Sequence, residues 1–298
     1  MKKALILGGT RFFGKRLTQN LVVSDWDVTI ATRGHTKDPF GDRVKRIHLD
    51  RFSRESMTDA LGDGTWDVVF DQICFAPDDA IDSCELFKDR IGRYVYTSTG
   101  SVYPRDAERP YREEMFDPYN YEIKTGRRED YSYGEGKRLA EAVFFAQAPF
   151  PVAAMRIPVV VGPDDYTERL ASLISYVRDG LPFRSPELDL KIGFIHSQEA
   201  ADFLQWLGEG EMTGPFNAAA SGCMQMGELI YLIEDVVGKK TWLYPLAEAD
   251  APLTGSSCMD TSKAKEAGFE FSVLRQWLPM LIQEHSRNHK LKPKLPAE

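Results

Sequence analysis

The chain is poor in several things. Cysteine occurs four times in 298 residues. Cys74, Cys84, Cys223 and Cys258 show none of the close pairing that a zinc site needs. The expectation is four reduced thiols in a cytoplasmic protein, with no metal. No apolar run is long enough to span a bilayer. The apolar stretch behind Met1-Lys2-Lys3 stops at Gly8, which is too short for a secretory signal. Positive charge is in deficit, with 37 Lys and Arg against 45 Asp and Glu and a formal net charge of −8. That argues against a broadly basic, nucleic-acid-binding surface, so nucleic acid is not the expected partner. Internal repeats are absent, which removes solenoids. The hydrophobic share of 43% supports a real core. The length leaves room for two domains, or one large lobed one.

What is present begins at residue 4. Ala4-Leu5-Ile6-Leu7 runs into Gly8-Gly9-Thr10-Arg11-Phe12-Phe13-Gly14 and then an amphipathic stretch. This reads as a buried strand, a tight turn and a helix. Such a turn gathers free backbone N–H groups and the positive end of a helix dipole, which suits a pyrophosphate. Gly8 permits the turn, and Gly14 lets the helix approach the strand. The Arg11 guanidinium is a bidentate partner for a diphosphate. Thr10, Phe12 and Phe13 complete the candidate cofactor loop.

Strands are expected at 27–32, 44–49, 67–71, 93–98 and 152–157. Helices are expected at 54–61, 77–87 and 133–147. This alternation predicts a parallel sheet with covering helices. The second strand ends in Thr32-Arg33 with no acid, where an arginine accommodates a 2′-phosphate. NADP is therefore favoured over NAD, unless Arg33 is a solvated loop cation. Asp50, at the exit of strand three, is a candidate adenine contact. Residues 104–130 are polar, aromatic and aperiodic, and a loop of that length is expected over the mouth of the site. Beyond Pro158 helices are expected at 167–179, 198–207, 226–237, 261–267 and 273–284, the last with Pro279 inside. The tail 288–298 is expected to fray.

Tyr133 and Lys137 lie one helical turn apart on one face. An ammonium beside a phenol favours the phenolate, and such a phenol can exchange a proton with a substrate hydroxyl or carbonyl. Ser98-Thr99-Gly100-Ser101 places hydroxyls at the carboxyl edge of strand five, where doubly wound sheets bind ligands. Thr99 would orient the reacting oxygen, or would simply cap the strand.

Taken together, these segments resemble the extended short-chain dehydrogenases/reductases, the NAD-dependent epimerase/dehydratase group. Thr97-Ser98-Thr99-Gly100-Ser101-Val102-Tyr103 is similar to its Ser-Ser/Thr-x-x-Val-Tyr signature, and Tyr133 and Lys137 to its Tyr-x-x-x-Lys. Arg156-Ile157-Pro158 with Val161-Gly162-Pro163 resembles the segment beside the nicotinamide. Phe194-Ile195-His196, Gly214-Pro215-Phe216-Asn217 and Asp260-Thr261-Ser262-Lys263 resemble its later motifs.

The resemblance implies a Rossmann-like doubly wound α/β fold with a smaller C-terminal substrate-binding lobe. Residues 1–157 would form the dinucleotide domain, 193–215 would return to it, and the rest of 158–298 would form the lobe. It implies NADP or NAD as cofactor and a small-molecule substrate such as a nucleotide sugar. Thr99, Tyr133 and Lys137 would be catalytic; Gly8, Thr10, Arg11, Phe12, Phe13, Gly14, Arg33, Asp50 and Ile157 would join Tyr133 and Lys137 in holding the cofactor. His196 is expected to pack rather than react. A homodimer through the tyrosine helix is expected if Phe144-Phe145 is not core.

Departures are visible too. Arg11 stands where the family's middle glycine belongs. Gln72-Ile73-Cys74 replaces small residues after strand four. Gly100-Ser101 replaces the Asp-Glu of sugar dehydratases, which disfavours elimination. Gly8–Gly14 also resembles an offshoot that includes plant stem-loop-binding proteins. The expected function is an epimerase or reductase. The alternative is a non-catalytic NAD(P)- or RNA-binding regulator on the same fold.

Overall fold

Four fully buried residues, Ala4–Leu7, occupy the middle of the molecule. They belong to β1 (Lys3–Leu7), which pairs in parallel with β2 (Asp27–Thr32) on one side and β4 (Trp66–Asp71) on the other. A strand covered on both faces is apolar throughout, which is why this one reads as an unbroken run. Ala4 and Ile6 face one layer of helices, Leu5 and Leu7 the other. The computed structural model describes residues 1–104, 110–180, 183–185, 188–241, 243–245 and 257–287.

The remaining elements follow in order: α1 (Phe12–Val23), β3 (Lys45–His48), α2 (Arg54–Leu61), α3 (Pro77–Leu86), β5 (Ile91–Thr99), α4 (Tyr133–Gln147), β6 (Val152–Ile157), β7 (Val159–Val161), α5 (Arg169–Arg178), β8 (Phe183–Ser185), β9 (Lys191–Ile192), β10 (Phe194–His196), α6 (Ser197–Glu209), β11 (Gly214–Asn217), β12 (Met224–Gln225), α7 (Met226–Val237), β13 (Leu243–Pro245), α8 (Ser262–Glu266) and α9 (Leu274–Arg287). Seven strands form one parallel sheet in the order β11-β6-β5-β4-β1-β2-β3. The order reverses between β1 and β4, the place where open α/β sheets bind ligands.

One face carries α1 and α6, whose Leu17, Leu21, Phe203 and Leu207 pack on Ile6, Phe70 and Val95. The other carries α3 and α4, with Val143 and Phe144 against Tyr94 and Tyr96. Phe144 is therefore core; Phe145 packs on Tyr119. Of the two readings left open for Phe144, burial supports the core one, because the strand-five tyrosines take it as their covering ring. Helices α5, α7 and α9 enclose a separate apolar cluster of Leu170, Ile174, Leu229, Ile233 and Leu278. Pro279 lies inside α9. The tail 288–298 lies outside the described residues.

The cysteine expectation is also corrected. Cys223 and Cys258 form a disulfide with Cα atoms 5.7 Å apart, while Cys74 and Cys84 are free and buried. Burial pushes the Cys84 thiol up to about 12 and the Cys74 thiol well up, so neither is a ready nucleophile. Among the described residues no helix is long and apolar enough to cross a membrane, and no His/Cys/Asp/Glu cluster could hold a metal ion.

Candidate active site

Gly8 and Gly9 both have positive φ, +110° and +88°, so the turn after β1 is closed to side-chain-bearing residues. A Cβ at Gly9 would sit 2.9 Å from Thr18 Oγ1. That hydroxyl donates to the carbonyls of Gly9 and Gly14, both at 3.0 Å, and locks the turn to α1. Arg11 is the residue before α1 and makes no cap with its side chain. Its Nε donates to Thr36 Oγ1 at 3.0 Å, and its guanidinium carbon lies 5.6 Å from the Tyr166 ring centroid. Phe12 is held at φ +49°, a strained conformation for a side-chain-bearing residue. Its ring meets Phe13 at 5.7 Å and the edge of Tyr166 at 6.1 Å. Gly14 does more than bring helix and strand together. A Cβ there would run into the Gln72 amide, which reaches across from the exit of β4.

At the ends of β2 and β3 lies a cavity of about 380 Å³. Thr10, Thr32, Gly34, Thr36, Lys37 and His48 line it. Arg33 stands exposed beside it. Arg46 lines it too, but two of its nitrogens are taken by Asp38, at 2.7 and 2.9 Å, and that contact holds the Asp38 carboxyl below its usual range. Asp50 Oδ1 accepts from the Phe52 backbone N–H at 3.1 Å, and the Asp50 N–H donates to Ser56 Oγ at 2.9 Å. The Asp50 carboxylate therefore helps shape the turn into α2.

Behind the β4 exit is an ion pair that sequence reasoning missed. Arg51 and Asp71 have fully buried side chains joined at 2.8 Å. The Arg51 guanidinium also donates to Ser83 Oγ and the Asp79 carbonyl, each at 2.8 Å. Asp71 accepts from the Tyr94 hydroxyl at 2.6 Å and from the Ile73 N–H at 2.9 Å. Twenty residues of separation hid the pairing. Next in the chain, Phe75 stacks on Phe52 at 6.1 Å and lies 6.3 Å from the Tyr133 ring. Arg128 lies 4.9 Å from its centroid.

Ser132 starts α4 by accepting from the Glu135 N–H. Tyr133 follows and is 51% exposed, whereas Lys137 is 1% exposed. Lys137 Nζ donates to the carbonyls of Cys74 at 2.7 Å and Thr97 at 2.8 Å, between the rings of Phe75 and Tyr96. Two of its three N–H bonds are thus spent on backbone. Thr99 Oγ1 accepts from the Ser101 N–H at 3.2 Å and meets Ser101 Oγ at 3.3 Å. Gly134 packs on that same turn; a Cβ there would lie 2.6 Å from the Ser101 carbonyl oxygen. The turn after β5 therefore joins the Thr99 loop to the start of α4. Ile157 ends β6 in register with Thr99. His196 Nδ1 accepts from the Gln198 N–H at 3.2 Å and its ring meets Trp277. Burial and then Arg16 hold its pKa below the ordinary value.

The described part of the 104–130 segment is tied to the body of the fold at several points. Arg156, fully buried with Glu141, draws in the carbonyls of Glu113 at 2.8 Å and Phe116 at 3.1 Å. Further along, Gly126 donates to Asp78, and Arg127 pairs with Asp78, Asp79 and Asp82. Arg105, Asp106, Glu108 and Arg109 lie outside the described residues. Among its described residues the segment approaches the site at Tyr121, whose hydroxyl donates to Glu135 at 2.9 Å in the first turn of α4, and at its end, where Arg128 covers Phe75.

A glycine turn behind the first strand of a doubly wound sheet, and a Tyr-x-x-x-Lys helix behind the fifth, define a protein of the short-chain dehydrogenase/reductase type. More narrowly, the NAD dependent epimerase/dehydratase family matches residues 4–209, and the chain belongs to it. Among solved structures, UDP-glucose 4-epimerase from Thermus thermophilus, in complex with NAD, superposes with a TM-score of 0.73 at 17% identity, covering 96% of this chain and 99% of that one. UDP-N-acetylglucosamine 4-epimerase from Methanobrevibacter ruminantium, in complex with UDP-N-acetylmuramic acid, reaches 0.74 at 18% identity, covering 96% and 97%. At those identities the likeness is one of fold. A curated relative from Arabidopsis thaliana, chloroplast stem-loop binding protein of 41 kDa b, is 26% identical over 255 residues, 76% of this chain. The chain spans 63% of that relative's length.

Proposed function

We propose that the chain is a nicotinamide-dinucleotide-dependent epimerase or reductase acting on a hydroxyl or carbonyl of a small molecule, with nucleotide sugars as the substrate class. The observation that carries it is the placement of Tyr133 and Lys137 beside the Ser101 turn and the β4 exit, on the carboxyl edge that also bears the glycine turn. The residues present fit a dinucleotide. Gly8, Gly9 and the first turn of α1 would hold its diphosphate, with Arg11 supplying charge. The cavity at the end of β2, with Arg33, Lys37 and Thr36, would take a 2′-phosphate, which favours NADP. Asp50 and Ile157 would border the two ends. When bound, the cofactor supplies a hydride donor or acceptor.

The chain's own residues manage the proton. The Tyr133 phenol gives a proton to, or takes one from, the substrate oxygen. Thr99 Oγ1, already fixed by Ser101, aims a hydroxyl at that oxygen. Lys137 sets a positive charge one helical turn behind the phenol. Tyr133→Phe should lower turnover by about 10²–10⁴-fold while leaving NADPH binding within about twofold. Fluorescence titration and a hydroxyl-substrate screen measure both; undiminished turnover in the variant would remove Tyr133 from the reaction.

The likeness to a stem-loop binding protein favours one other reading, RNA binding on the same fold. It requires RNA affinity that falls steeply with salt and no turnover of any hydroxyl substrate.

A further inference from the structure

Gln72 is the side chain in the cleft that the reading above leaves unused. Its amide lies between the two outer glycines of the turn. A Cβ placed at Gly14 would run first into Gln72 Oε1 and then meet Cδ at 3.0 Å and Nε2 at 3.2 Å, and one at Gly8 would meet Oε1 at 3.5 Å, so the whole amide group fills the space between the two glycines. Its Nε2 is buried and finds no hydrogen-bond partner among the described residues. An unsatisfied buried donor costs free energy and is rarely kept without a use.

The backbone around Gln72 is held firmly. The Gln72 N–H donates to the Leu7 carbonyl at 3.2 Å, and the next N–H, of Ile73, donates to Asp71. Asp71 is in turn fixed by Arg51 and Tyr94. The amide is therefore presented from a rigid strand end, beside the first turn of a helix whose dipole already favours an anion. We propose that Gln72 is a cofactor ligand whose amide N–H donates to a diphosphate oxygen of the bound dinucleotide. This rests on the dinucleotide reading of the same cleft. It also gives a reason for Gly14, since any side chain at that position would displace the amide.

The test measures binding, not turnover. Calorimetric titration with NADPH and with 2′-AMP, which lacks the diphosphate, is done on the wild-type chain, Gln72→Met and Gln72→Glu. Gln72→Met should weaken NADPH binding about tenfold, the loss of one hydrogen bond to a charged group, and leave 2′-AMP unchanged. Gln72→Glu should weaken NADPH further, because it sets a carboxylate against the diphosphate. Ligand-free Gln72→Met should melt no lower than wild type, since a buried orphan donor has been removed. NADPH bound equally well by wild type and Gln72→Met overturns the assignment. Equal losses for NADPH and 2′-AMP also overturn it, because they make Gln72 a structural support. A wild-type chain that binds neither NADPH nor NADH overturns the dinucleotide reading and this assignment together.

Discussion

Arg51 and Asp71 show how much of the candidate site depends on residues outside it. Neither touches the cleft, yet Asp71 holds the strand exit from which Gln72 and Phe75 extend. Both charges are fully desolvated, so removing one leaves the other uncompensated. Arg51→Met should cost about 3–5 kcal/mol, and adding Asp71→Leu should recover much of it. Urea unfolding midpoints of the single and double variants check this. The pair was not legible from sequence, because two charges twenty residues apart carry no periodic signal. The glycines, Thr99, Tyr133 and Lys137 were legible, because each sits at a fixed offset from a strand or helix end. Gln72 stood out only as a bulky residue where small ones were expected.

At the scale of elements, every strand from β1 to β6 was anticipated within about two residues. Parallel strands buried on both faces read as apolar runs, and helices between them separate the runs cleanly. The later short strands were missed. β7, β10 and β11 are three or four residues long, and β9 and β12 are two, too short for any period to show. Helix α6 shows what a cap contributes. His196 must be neutral at Nδ1 to accept from Gln198, and its folded pKa is depressed below 6.5. The unfolded chain therefore binds the proton more readily. The contribution is complete above about pH 6.5 and is lost as pH falls through the folded value. His196→Asn keeps an acceptor but does not titrate. Its melting temperature should fall less than the wild type's between about pH 7.5 and about pH 5, as followed by circular dichroism.

Across the whole molecule, the Cys223–Cys258 bond stands out against an otherwise thiol-poor chain. It links the residue before β12 to a short segment that packs on both Tyr111 and Gly100. The Met259 side chain covers Gly100, directly behind Thr99. A cross-link over 35 residues restricts the unfolded chain, so Cys258→Ser should lower stability by about 2–4 kcal/mol. Chemical denaturation of the variant, and of the wild type with and without reductant, measures the loss. Sequence could not reveal this bond, since cysteines so far apart show no spacing pattern.

The β11 strand closes one edge of the sheet, although it arrives more than fifty residues after β6. Its Asn217 accepts from Tyr103 at 2.5 Å and donates to the carbonyls of Tyr111 and Asp260 at 2.9 Å. During synthesis, then, β6 waits with an unpaired rim until residues 214–217 emerge. Excising the family-matched stretch alone would remove β11 and leave β6 with a raw, adhesive border.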